Sequence, residues 1–428
     1  MVRALRSSRA SFIDDGSASM TTRINGRRVL LLGSLAITLT GCKFGGGDDH
    51  DTFRVPTSIA IADLNGDGAP DLALSTSVVR DDGASQKGLA SVFLQNATSR
   101  GTFQGGTDYD SATSPAAIAV GNLTGSGTAD FVIVNADSAS VTVLLQTAPG
   151  SGKYQAATSY SVGGSPNDVQ LADVNGDGKL DVIVADNASS GRVLILPQDP
   201  ANPGKLLAPI ALATPNSASG VAVGDINGDG KPDIAAGTSD GNGNNGAVIV
   251  FYQNPATPGA FLAPVTVAAG AQPITVKIAD LNGDGFADLV AANFGAGTDG
   301  VGSSGVSVVL QNAAAPGTFS APVTYAAQGG TIHLVVTDID GDSLPDVVTS
   351  NLGPSPSGSV SVLLQDPSNR GTLKTAQSYA GFGQPLCVAV ADLNADGKPD
   401  IAVADGDTAT VMLQTSTPGV FATGTQIN

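Results

Sequence analysis

The chain contains no glutamate and no tryptophan, and has only two cysteines and two histidines in 428 residues. Every one of its 38 acidic side chains is therefore an aspartate. Aspartate carries a short carboxylate that suits tight turns and cation coordination. Aromatic residues make up 4% of the chain, so the core has to be built from Ala, Val, Ile and Leu. The scarcity of tryptophan and other aromatics weakens a lectin-like reading, because sugar rings usually stack on such side chains. Histidine is too scarce to suggest a general acid–base centre, which weakens an enzymatic reading such as polysaccharide lysis. The net charge of -18 argues against a nucleic-acid partner, whose phosphates it would repel.

What the chain does have is repetition. Six acidic nonamers read DLNGDGAPD from Asp63, DVNGDGKLD from Asp173, DINGDGKPD from Asp225, DLNGDGFAD from Asp280, DIDGDSLPD from Asp338 and DLNADGKPD from Asp392. A seventh, NLTGSGTAD from Asn122, keeps the frame and loses most of the charge. Successive copies start 51 to 59 residues apart. That period marks a repeat architecture. Each repeat shows four short β-type runs bounded by turn residues. The first precedes the loop and the second leaves it. The third recurs as ASVFLQN, VTVLLQT, VLILPQD, VIVFYQN, VSVVLQN, VSVLLQD and TVMLQT. The fourth recurs in the manner of GTFQGGTDY and GKYQAATSY, the last copy being placed at Phe421. The first run alternates large apolar residues, such as Ile59 and Ile61, with mostly small ones, such as Ala60 and Ala62. Large on one face and small on the other lets adjacent sheets nest. Seven such units predict an all-β, seven-bladed propeller of four antiparallel strands per blade, spanning residues 53–428. Closure requires the first blade to pack on the seventh.

The loop pattern D-x-[N/D]-x-D-G-x-x-D offers side-chain oxygens at positions 1, 3, 5 and 9 and a backbone carbonyl at position 7. Oxygen-only ligation by several carboxylates suits Ca²⁺. The expected ligands are Asp63, Asn65, Asp67 and Asp71; Asp173, Asn175, Asp177 and Asp181; Asp225, Asn227, Asp229 and Asp233; Asp280, Asn282, Asp284 and Asp288; Asp338, Asp340, Asp342 and Asp346; and Asp392, Asn394, Asp396 and Asp400. About six structural ions would offset two thirds of the excess negative charge. The Asn122 loop offers one carboxylate, Asp130, and is expected to stay empty. Ser343 and Ala395 stand where other copies carry glycine, a strain if the backbone there is left-handed. The motif resembles the FG-GAP/VCBS repeats of integrin alpha-chain propellers and their bacterial relatives. That resemblance implies a structural Ca²⁺ in a loop joining the first and second strands of a blade, and a ligand surface on the opposite face.

The start of the chain reads as an address. Residues 1–19 precede a better start at Met20 and read as a mis-assigned leader. Residues 20–41 hold a basic flank (Arg23, Arg27, Arg28) and an apolar run too short to span a bilayer. The following Leu39-Thr40-Gly41-Cys42 resembles the lipobox of bacterial lipoproteins, which implies cleavage before Cys42, lipidation of its thiol and a membrane attachment at the cell envelope, at the outer membrane in a Gram-negative cell. Residues 42–52 form a Gly-rich tether. Cys387 is then the one remaining thiol, so no intrachain disulfide is expected.

Two further positions invite function. His333 and Cys387 share one offset before their loops with Ser58, Ala117, Asp168, Gly220 and Thr275, a variable ring near one mouth of the propeller axis. The bland reading of that ring, as tolerated strand-end residues, outweighs a dyad. The long segments between second and third strands emerge opposite the acidic loops, where recognition usually sits. They suggest a surface around Arg80, Asp81, Asp82, Lys87, Asn242, Asn244 and Asn245 for a protein or glycan partner. The composite expectation is a lipid-anchored, calcium-stabilised binding, adhesion or scaffold module, with a lectin-like propeller as the alternative.

Overall fold

A computed structural model describes residues 22–24, 27–32, 35–39, 52–80, 85–239, 246–295, 304–353, 358–406 and 408–427. Cys42, the tether, Asp81, Asp82, Asn242, Asn244 and Asn245 lie outside the described residues. Thr22–Ile24, Arg27–Leu32 and Leu35–Leu39 pair as a separate three-stranded sheet. No helix among the described residues is long and apolar enough to cross a membrane.

From Thr52 onward the chain folds into seven four-stranded sheets, each with its strands in sequence order. The first blade is Thr52–Ala62, Asp71–Arg80, Ser85–Phe93 and Thr107–Ser111. The seventh is Pro385–Ala391, Asp400–Asp405, Thr408–Met412 and Thr425–Ile427. In all seven blades the acidic nonamer joins the first strand to the second, and its final Asp opens the second strand. The innermost strands touch their neighbours all the way round, the last returning to the first. The ring is therefore closed, and it closes without a swapped strand.

Burial explains the closure. The alternating pattern of the strands gives each blade two apolar faces, and each face must find a partner sheet. Leu64, Ala73 and Val92 of blade 1 pack on Ile118, Phe131 and Ile133 of blade 2. The same arrangement repeats at every junction. The seam is the seventh such cluster, in which Ile59, Leu72 and Leu74 of blade 1 meet Leu393, Ala402 and Val411 of blade 7. Aromatics are few, and one pair is spent at the first junction, where Phe131 stacks on Tyr154 with ring centroids 4.2 Å apart.

Three features depart from the expected pattern. The fourth run is split. Its aromatic or Leu residue, such as Phe103 or Tyr154, makes a single bridge to a Gln just beyond the third strand, and the fourth strand proper begins about four residues later. Thus Phe421 bridges Gln414, and the last strand is Thr425–Ile427 rather than the Phe421 segment. Each first strand also carries a bulge immediately before the variable-ring residue, as between Pro56 and Ser58 or Pro385 and Cys387. Lastly, the segment around Arg80 read as a long linker is mostly strand. Thr52↔Arg80 and Val78↔Lys87 are paired positions, so blade 1 extends well beyond its neighbours. On this extension Val55 and Val79 are fully buried against Phe294, Ile332 and Leu386 of blades 5 to 7. Val55 and Val79 thereby tie blade 1 to blades 5, 6 and 7 in one apolar cluster.

Truncating a wholly buried seam residue removes both transfer energy and packing. Leu72→Ala is expected to cost about 2–5 kcal/mol in urea unfolding at fixed calcium; a loss below 1 kcal/mol would show that the seam does not hold the ring.

Candidate functional site

The acidic loops are built around a buried carboxylate. The position-nine aspartates (Asp71, Asp130, Asp181, Asp233, Asp288, Asp346 and Asp400) are at most 1% exposed. One oxygen of each accepts the N–H of position two, for example Leu64 to Asp71 at 2.9 Å. The other accepts the backbone N–H of the glutamine just beyond the third strand, for example Gln95 to Asp71 at 2.6 Å. The loop is thereby locked to its own blade.

Above this anchor the chain curls. Asp63 accepts the N–H groups of Gly66, Asp67 and Gly68. Asn65 accepts that of Asp67, and Asp67 that of Ala69. The same turns recur in the loops from Asp173, Asp225 and Asp280. They wrap the backbone of each loop around its position-one carboxylate. In the loop from Asp338, donor oxygens of Asp338, Asp340 and Asp346 lie within 4.8 Å of one another. Burial, reinforced by the neighbouring carboxylates, pushes Asp181, Asp233, Asp288 and Asp346 up to about 6. Asp71 and Asp400 shift the same way for the same reasons. Asp340 is raised by burial, then by Asp342 and Asp338.

Three loops differ. Ser343 and Ala395 have φ of 67° and 61°, so both sit in the left-handed region that glycine occupies elsewhere, at a cost of about 1 kcal/mol each. In the Asp392 loop, Lys398 places its ammonium 3.2 Å from Asp396. The Asn122 loop closes on itself through neutral hydroxyls, Thr124 to Ser126 at 2.6 Å and Ser126 to Thr128 at 2.7 Å.

The glutamine is the element that reading the repeats missed. In five blades its side-chain amide reaches out of its own blade, whereas the Gln198 and Gln365 amides donate within theirs, to Leu180 O and Pro345 O. Gln146 donates to Leu64 O, Gln253 to Val174 O, Gln311 to Ile226 O and Gln414 to Ile339 O, in each case the position-two carbonyl of the preceding blade's loop. Gln95 does the same across the seam, to Leu393 O at 2.8 Å. The signal was visible, since a Gln stands two residues beyond each of the seven third strands.

The variable ring lines a small cavity of about 120 Å³ at the axial mouth. Its polar members stitch neighbouring inner strands. Asp168 accepts the N–H of Val221 from blade 4, and Thr275 donates to Ile332 O of blade 6. His333 Nδ1 accepts the N–H of Val388 from blade 7, and the Cys387 thiol donates to Ile59 O of blade 1. Burial holds the His333 ring down to about 3, with Lys277 adding to the shift, and raises the Cys387 thiol. These are interblade hydrogen bonds rather than a nucleophile–base pair. Of the proposed partner surface, Arg80 ends the second strand of blade 1, and Lys87 lies exposed in the third.

Comparison with known proteins adds the following. A model of the FG-GAP-like repeat matches residues 122–184 and 173–236. A search of curated proteins found no match. Among solved structures, one described as a 6-phosphogluconolactonase from Bacteroides fragilis is similar at 17% identity and a TM-score of 0.54, over 90% of this chain and 95% of that one. Another so described, from Bacteroides uniformis, aligns at 16% and 0.51 over 84% and 93%. BBS1N, from a complex with ARL6DN, aligns at 10% and 0.51 over 86% and 94%. At these identities the likeness is one of fold.

Two outcomes follow from this geometry. Gln253→Ala would orphan the Val174 and Pro232 carbonyls. It should cost about 2 kcal/mol in chemical denaturation, and an unchanged midpoint would refute the latch. His333 is neutral in the fold and protonates in the unfolded chain, so the unfolded state binds more protons below the ordinary histidine range. Stability from this group is full above that range and falls as pH drops toward 3, by about 1.4 kcal/mol per pH unit. The melting temperature of His333→Gln should therefore fall less than that of the parent between pH 7 and 5; parallel curves would contradict this. The chain is a seven-bladed β-propeller of four antiparallel strands per blade that carries FG-GAP-like repeats.

Proposed function

We propose that this propeller is a calcium-stabilised, non-catalytic binding or scaffold module held at the bacterial cell envelope through a lipidated Cys42. The observation that carries the calcium reading is the loop from Asp338, where oxygens of Asp338, Asp340 and Asp346 lie within 4.8 Å of one another. The other charged loops share its curl, with position-one and position-nine carboxylates engaged by backbone N–H groups. The residues fit a hard divalent cation, because every candidate donor is oxygen. Position-one, three, five and nine side chains would hold it, with Asp340 adding a fourth carboxylate in the loop from Asp338. The ion would supply the positive charge that these crowded carboxylates lack. The Asn122 loop needs none, since its hydroxyls satisfy one another.

The non-catalytic reading is supported by the axial mouth, where an enzyme on this scaffold would find its titratable groups. Asp168, His333 and Cys387 are each engaged in interblade hydrogen bonds there. The names of the two similar lactonase structures do not bear on this chemistry at 16–17% identity. A binding role fits a rigid ring whose connections between second and third strands leave from the strand ends opposite the acidic loops.

Ions that bind only the folded state stabilise it by mass action. EDTA in calcium-free buffer should lower the melting temperature substantially. Elemental analysis of the dialysed protein should return about six calcium ions per chain, and fewer once Asp233→Asn and Asp288→Asn are introduced. A melting curve indifferent to EDTA would end the calcium reading.

A further inference from the structure

Blade 1 outreaches both of its neighbours, and at the seam this leaves part of its face uncovered among the described residues. Blade 1 runs out to Thr52 and Arg80, whereas blade 7 faces it with a third strand that begins at Thr408 and a fourth of only three residues. The outer part of the blade 1 face therefore has no sheet against it. A cleft of about 780 Å³ opens there, with Ile427 and Thr408 on the blade 7 side. This is in the range of small-molecule sites.

The chemistry of its wall is unlike that of the other blades. In blades 2, 5 and 6 the same row of the sheet is neutral. There Thr142 bonds Ser159, Ser307 bonds Thr324 and Ser361 bonds Ser378. In blade 1 the third-strand member is Ser91 and its partner is a carboxylate, Asp108, at 2.8 Å. Arg54, which exists only because the first strand is extended, grips both oxygens of Asp108. Lys87 stands at the same wall, exposed and 3.2 Å from Asp110. Arg54, Ser91 and Lys87 together hold the Asp108 carboxyl below its usual range although burial opposes them. The floor of the cleft is apolar, formed by Leu74, Val78 and Phe93.

We propose that this seam cleft binds a saccharide bearing a carboxylate. In a carboxylate–guanidinium pair the carboxylate accepts from one ring hydroxyl and the guanidinium donates to the next, which is what vicinal hydroxyls require. The Phe93 ring and the aliphatic side chains beside it match the C–H face of a pyranose. The lining carries two cations, Arg54 and Lys87, and one carboxylate, Asp108, while Asp110 partners Lys87 from outside it. Lys87 meets Asp110 through one of its three N–H donors, and the others face a ligand with an anionic group. The proposal rests on the chain being a binding module and supplies its ligand class.

The test is isothermal titration of the full chain with 4-nitrophenyl β-glucuronide, in saturating calcium. Two probes isolate the parts of the ligand: 4-nitrophenyl β-glucoside lacks the carboxylate, and 4-nitrobenzoate lacks the sugar. The glucuronide should bind at least about tenfold more tightly than either. Lys87→Gln should weaken its binding at least about tenfold with little change in melting temperature, since the Lys87–Asp110 pair is exposed, and Asp108→Asn should weaken it about tenfold. No heat from the glucuronide at millimolar concentration overturns the proposal, as does equal binding of the glucoside or the benzoate, or full binding by Lys87→Gln. Indifference of the melting curve to EDTA would instead fail the calcium reading and leave this site standing.

Discussion

A carboxylate wholly removed from water, with both oxygens taken up by backbone N–H groups, is the interaction on which this ring depends. Seven aspartates occupy that place, one per blade. An unpaired buried carboxylate is costly, and one that accepts two or more N–H bonds is a strong local constraint. Here the constraint ties three elements at one point: the loop, the start of the second strand and the end of the third. In five of the seven blades the glutamine at that last position then carries the connection onward to the preceding blade. Local loop geometry and the mating of neighbouring sheets are thus parts of one hydrogen-bond circuit that crosses five junctions, the seam at Leu393 among them.

That circuit explains why the blades can diverge so far elsewhere. The Asn122 loop has exchanged charge for hydroxyls, and Ser343 and Ala395 tolerate left-handed backbone, yet all three loops keep the final Asp and the following Gln. The variable ring at the axis tolerates change for another reason. Its bulge directs side chains into the mouth, where different residues reach across to the next strand by different means: a carboxylate at Asp168, a hydroxyl at Thr275, an imidazole at His333 and a thiol at Cys387.

Much of this was legible in the chain. The repeat of the nonamer dictates the number of blades, and the alternation of Ile59 and Ile61 with small residues dictates which faces meet. The ring stitches were not legible, because hydrogen bonds between residues such as His333 and Val388 depend on a bulge that sequence alternation does not reveal. The extension of blade 1 was hidden by Asp81, Asp82 and Gly83, which punctuate the segment like a loop while Thr52 and Lys87 on either side continue the ladder. Arg54 and Asp108 are 54 positions apart and belong to no motif, so only the folded sheet shows that they meet. The split of the fourth run escaped notice because Phe103 and its equivalents resemble strand residues by composition while making a single bridge.

The uneven length of the first blade has a mechanical side. The chain enters the ring at Thr52, in an inner strand of 11 residues that is paired with its neighbour from Thr52↔Arg80 to Ala62↔Asp71. A pull on the preceding segment, directed along that strand, loads the rungs of the ladder together in shear instead of opening them one after another. The blade next to the only junction without a covalent link is therefore also the one best placed to resist tension arriving from the chain's own leading end.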